Sequence, residues 1–151
     1  MRNFKYIYFF SFLFFFHPIK SGENNLVFHG AYSFESFSGQ KTGAVYVSIF
    51  NNTNKDFIIN SLSSEIAKNV EIHEMLFENE IMRMKKVDKL LIKANEQKYF
   101  QPGGMHIMLM GLKKELIDGS HFFINFLINN VTEKRVKVMV LNKKLRENFI
   151  E

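Results

Sequence analysis

An all-β, single-domain Greek-key sandwich is the fold this chain predicts. Two observations carry the prediction. Apolar and polar residues alternate with a period of two over many short runs, as in strands that bury one face. Clusters of Asn, Gly, Pro and acidic residues separate the runs at short intervals. The first clear run, residues 41–50, alternates Val45, Val47 and Ile49 and ends at Asn51-Asn52-Thr53-Asn54. Residues 57–62 form the next. Residues 63–69 break the apolar pattern, and a helical turn is expected there. Residues 70–77 and 81–87 flank Glu78-Asn79-Glu80 and read as a hairpin, with Met82 and Met84 on one face and Arg83 and Lys85 on the other. Short strands are expected at 90–92 and 97–100. Gln101-Pro102-Gly103-Gly104 then turns the chain into a strand over 105–110. The polar connection 111–119 carries Leu112, Leu116 and Ile117 as expected core anchors. Residues 121–128 and 134–141 form a last pair around Asn129-Asn130, and 142–151 is a charged tail.

The beginning of the sequence has a different character. Arg2 and Lys5 precede an apolar run over 6–16, and polar residues resume at His17-Pro18. This is the layout of a secretory signal, and the run falls short of the about 20 apolar residues of a transmembrane helix. The expected division is a signal over 1–21, a folded domain over 22–141 and the tail over 142–151. Such a chain is exported, with a periplasmic location, and touches a membrane only through the signal if that remains uncleaved. The sequence contains no Cys, which excludes a lipid-modified Cys among these residues and a blue-copper site, whose ligand set needs a thiolate.

Removing 1–21 takes Arg2, Lys5 and Lys20 and no acid, so the formal charge falls from +5 to +2. The remaining lysines are scattered doublets without a basic stripe interleaved with aromatics, which argues against nucleic-acid binding. No Ser sits in a nucleophile-elbow pattern and no Gly-rich phosphate loop is present, so the chain does not read as an enzyme. The acid pairs Glu71/Glu74 and Glu78/Glu80 read as solvated strand and turn positions. His29 and His121 each read as structural or exposed; His29, near the expected mature start, is also a candidate for Cu(II) capture.

His106-Ile107-Met108 carries the chemistry. A His and a Met two apart on a strand point the same way. His73-Glu74-Met75 repeats the arrangement, and Met82-Arg83-Met84 adds two thioethers at the same spacing. Imidazole and thioether together select soft ions, above all Cu(I). Each Met taken singly also reads as a gap-filler in the core, and spacing alone leaves open whether the three faces meet.

The run His73, ten residues, Met84, twenty-one residues, His106, one residue, Met108 resembles the pattern of the periplasmic copper chaperone family called PCuAC, small exported cupredoxin-like domains. The likeness extends through Gly43-Ala44-Val45-Tyr46-Val47, Val70-Glu71-Ile72-His73-Glu74 and the stretch from Gly103 to Leu112, and spans about residues 30–141. Two departures lie in turns: Ser64-Glu65 stands where the family commonly has Ser-Pro, and no Gly precedes Ile81. The resemblance implies that His73, Met84, His106 and Met108 bind Cu(I); Met75 and Met82 read as neighbours of the ligands or core residues, and Met105, Met110 or Met82 as a soft apolar rim. It implies delivery of copper to an acceptor such as the dinuclear copper centre of a cytochrome c oxidase subunit, or periplasmic copper handling in general. The rival reading is an exported β-sandwich that binds a partner without metal.

Overall fold

The structure, a computed structural model, describes residues 26–78 and 81–145. It is built from ten strands and no α-helix among the described residues: β1 (Leu26–Phe34), β2 (Thr42–Asn51), β3 (Phe57–Ser63), β4 (Asn69–Glu78), β5 (Ile81–Val87), β6 (Leu90–Ile92), β7 (Gln97–Phe100), β8 (His106–Met110), β9 (His121–Ile128) and β10 (Thr132–Leu141). The signal expected over 1–21 lies outside the described residues. Of the expected tail, residues 143–145 form one short 3-10 turn and 146–151 lie outside.

The strands hydrogen-bond in the order β5-β4-β8-β2-β1-β10-β9-β3-β6. β2 is the hub. Its first half, Thr42 to Val45, pairs with β8, its second half, Val47 to Phe50, pairs with β7, and its other edge pairs with β1. The sheet wraps so that its inner faces share one core. Ile49, Ile92, Ile107, Leu109 and Ile124 are wholly excluded from solvent there, and the wrapped sheet has the cupredoxin-like sandwich architecture. Removing this much apolar surface from water is the main stabilising term for a chain without disulfides.

Three local results differ from the sequence expectation. β1 precedes the first run expected. Its alternation is broken by a bulge between His29 and Tyr32, where Gly30 takes φ +63°. The segment 63–69 makes a turn rather than a helical one. Ile66 and Ala67 plug into the core at 5% and 4% exposure, and the Ile66 carbonyl accepts from the Lys113 amide at 2.9 Å. Leu112 and Leu116 anchor their connection as expected, but Ile117 stands in solvent, 65% exposed.

The turn before β8 follows its sequence closely. Pro102 and Gly103 occupy its middle, Gly103 takes φ +76°, and the Gly104 amide donates to the Gln101 carbonyl at 3.0 Å. Pro followed by a left-handed Gly is the type II pattern. The Gln101 amide then donates to the Met105 carbonyl at 2.8 Å, so β8 starts at a fixed place. β8 inserts between β4 and β2, with Ile107 facing Ile72 on one side and Val45 on the other.

Ile107 is therefore both a core residue and the residue that sets where its neighbours point. Truncating it by Ile107→Ala is expected to cost about 2–5 kcal/mol through lost transfer energy and the cavity left behind. Urea denaturation of the purified variant measures this; an unchanged midpoint contradicts the assignment.

Candidate metal centre

β4 and β8 run antiparallel, and their register pairs Ile72 with Ile107 and His73 with His106. Facing residues of antiparallel strands project to the same side, so burying the two isoleucines in the core places both histidines together on the opposite face of the layer. Their ring centroids lie 5.9 Å apart. β5 pairs with the other edge of β4, setting Met84 opposite Met75 and Lys86 opposite His73. His73, Met75, Met84, His106 and Met108 thus share one face of the β5-β4-β8 layer.

The Met84 sulfur lies 3.0 Å from His73 Nδ1. On its other side, His73 Nε2 lies 3.0 Å from a Glu71 carboxylate oxygen. The carboxylate only accepts, so Nε2 carries the proton and donates it. In the neutral ring the lone pair is then on Nδ1, facing the Met84 sulfur. His106 uses the opposite nitrogen. Its Nδ1 donates to the Gly104 carbonyl at 3.1 Å, leaving the lone pair on Nε2. Each ring is held by an acceptor at one nitrogen and offers the other as a base, the usual arrangement of ligating imidazoles.

Exposure is graded across the site. His106 is 7% exposed, the His73 side chain 13%, and Met84 52%. β4 pairs with β8 only as far as His73, and the β4–β5 ribbon continues alone beyond that point. The group therefore sits at the end of β8, next to the Pro102–Gly104 turn, and opens to solvent on the β5 side.

Met108 lies one pleat further along β8, opposite Glu71 on β4 and Ala44 on β2. It lines a cavity of about 260 Å³ together with Phe34, Phe37, Tyr46 and Lys143. Of the surrounding methionines, Met75 faces Met84 and Met82 faces Phe77 at the exposed ribbon. Met110 faces Asn69 and Thr42, whereas Met105 packs against the core. His29 lies within β1, opposite Ser48, rather than on a loose leader, and His121 stacks edge-on against Phe123 at 5.7 Å. Among the described residues, no three of His, Asp and Glu are grouped so as to hold a metal ion; a thioether and a second imidazole lie beside His73.

Glu71 was expected to be merely solvated. It instead bridges His73 and Lys86, whose Nζ donates to its second oxygen at 3.0 Å. Parity alone held the signal: residues 71 and 73 share a face. The His73 hydrogen bond, then the Lys86 hydrogen bond, hold the Glu71 carboxyl below its ordinary range against the opposing effect of burial. A carboxyl lowered in the folded state stabilises the fold above its ordinary titration range, and that contribution disappears as pH falls through the lowered value. Glu71→Gln should thus lower stability near neutral pH by up to about 1 kcal/mol. Thermal melts from neutral to strongly acidic pH should show the gap between variant and wild type closing; a gap that widens in acid contradicts this.

A family model described as "Putative lipoprotein LpqE-like" matches residues 26–140. The protein RP573 of Rickettsia prowazekii (strain Madrid E), itself uncharacterized, is 36% identical over 100 residues, 66% of this chain. The chain spans about half the length of that relative, 55%. Among solved structures, the copper-bound PCuAC domain from PmoF2 superposes with a TM-score of 0.66 at 14% identity, covering 78% of this chain and 92% of that domain. The solution structure of CuI-DR1885 from Deinococcus radiodurans superposes with a TM-score of 0.60 at 22% identity, covering 78% of each chain. The chain belongs to the LpqE-like family and has the fold of the PCuAC domains.

Proposed function

We propose that this protein is an exported, periplasmic Cu(I) metallochaperone that binds one ion through His73, Met84, His106 and Met108. The observation that carries the reading is the convergence at His73: a ring nitrogen whose proton is committed elsewhere faces a thioether sulfur at 3.0 Å, with a second such imidazole opposite. The soft, neutral donor set supports Cu(I) over divalent ions, because thioether and imidazole add no negative charge. The two similar domains described above support it as well, one solved with copper and one with Cu(I). The lipoprotein description of the family and the signal-like start of the sequence support export.

A carrier must hold its ion and also give it up. Met84 on the open side supplies a ligand that needs no deprotonation and can be displaced by an incoming donor. The more enclosed histidines keep hold of the ion meanwhile. Exchange of ligands one at a time passes the ion without releasing it to water. The acceptor is a copper-binding protein, such as the cytochrome c oxidase subunit that carries the dinuclear copper centre, or another periplasmic copper protein.

Competition titration with a Cu(I) chelator should give one high-affinity equivalent for the wild type. Met84→Ala and His106→Ala should each weaken it by at least about tenfold. Absence of binding by the wild type sinks the copper reading and leaves an exported binding module without metal. Protons compete for the same imidazole lone pairs, so affinity should also be lower at about pH 5 than at about pH 7.5. Equal affinity at both rules out the histidines as ligands.

A further inference from the structure

The two imidazoles are oriented by different means. His106 is held by a backbone carbonyl, that of Gly104, which no side-chain substitution removes. His73 is held by a side chain. Glu71 lies two residues earlier on the same face of β4, and one of its oxygens accepts the His73 Nε2 proton at 3.0 Å. The second oxygen is fixed by Lys86 Nζ at 3.0 Å. Lys86 is the cross-strand partner of His73, and Met84 lies two residues before it on the same face of β5. One short strand thus supplies both the thioether that faces His73 and the cation that fixes the carboxylate behind it.

We propose that Glu71 is a positioning residue for the copper site: it locks His73 in the Nε2–H tautomer and holds the ring so that the Nδ1 lone pair meets the ion beside Met84. The assignment rests on the copper reading. Without Glu71, the one hydrogen-bonding neighbour left to this ring's nitrogens among the described residues is the Met84 sulfur, a weak acceptor. The ring is then free to rotate and to shift its proton, and each ion bound must first capture the right state. Lys86 acts one step further out. It is half exposed, and its loss leaves the His73–Glu71 bond in being. The order of effect is therefore Glu71 before Lys86.

The test separates this role from copper binding itself. Long-range proton–nitrogen NMR of the full metal-free chain reads the protonation of each imidazole nitrogen. In the wild type, His73 should carry its proton on Nε2, in slow exchange, and His106 should carry its proton on Nδ1. Glu71→Ala should lose the slowly exchanging His73 signal and leave His106 unchanged, which also reports that the fold is intact. Its Cu(I) affinity should fall about tenfold or more, the usual cost of losing a group that orients a ligand. Glu71→Gln keeps an acceptor oxygen and should restore the signal and most of the affinity; Lys86→Met should change the affinity less than Glu71→Ala. A wild-type His73 protonated on Nδ1 overturns the proposal. So does an Ala variant that keeps both the signal and the affinity, or a Gln variant as weak as the Ala variant. If the wild type binds no Cu(I), the copper reading fails on that result alone, and the proton signals still decide whether Glu71 holds the ring.

Discussion

The pairing of β4 with β8 is the constraint on which the site depends. Ile72 and Ile107 face each other inside the core, and that burial fixes the register. A slip of β8 by one residue would turn Ile107 out of the core and His106 into it, reversing every side chain on that strand. The hydrophobic core therefore does more than stabilise the fold. It aims two histidines at one region of the surface, using apolar residues that lie one position away from them. The Pro102–Gly104 turn supports this by fixing where β8 begins, and its Gly104 carbonyl orients His106 directly.

Around that fixed pair the site is graded. Its His106 side is enclosed and tied to backbone, its His73 side is held by a side-chain bridge, and its Met84 side lies on a strand exposed along almost its whole length. Rigidity and access usually conflict in a binding site, because groups held in place are packed and packed groups are closed to exchange. Here the conflict is resolved by dividing the two demands between strands. β4 and β8 supply order, and β5 supplies access.

Much of this was legible in the sequence, for reasons that can be named. The bounds of β5, β6, β7 and β9 follow from clean alternation or from sharp turn residues on either side. Asn129 and Asn130 both take left-handed φ, as an Asn-Asn turn suggests. β1 was not legible, because its bulge breaks the period of two that marks a strand. Ile117 misled because an apolar residue in a connection carries no periodicity to say which way it faces. At the site, parity correctly grouped the members of each strand, while the meeting of the three strands required long-range register that spacing does not contain. Family resemblance supplied the proposed ligand set. The part of Glu71 was hidden because an acid on an outward strand face looks like any solvated acid until its neighbours across the sheet are known.

The exposure of β5 has a consequence for the chain in company with its own copies. β5 ends the strand order among the described residues, and it presents Met82 and Met84 to solvent. An uncovered edge bearing apolar side chains invites a second copy to add its own strand. Arg83 and Lys85 flank Met84, however, and Lys86 follows. Antiparallel self-pairing centred on Met84 would set Arg83 of each copy against Lys85 of the other, with like charges directly opposed. The edge can therefore leave its sulfur uncovered and still discourage its own kind, so that exposing a soft donor does not commit the protein to sticking to itself.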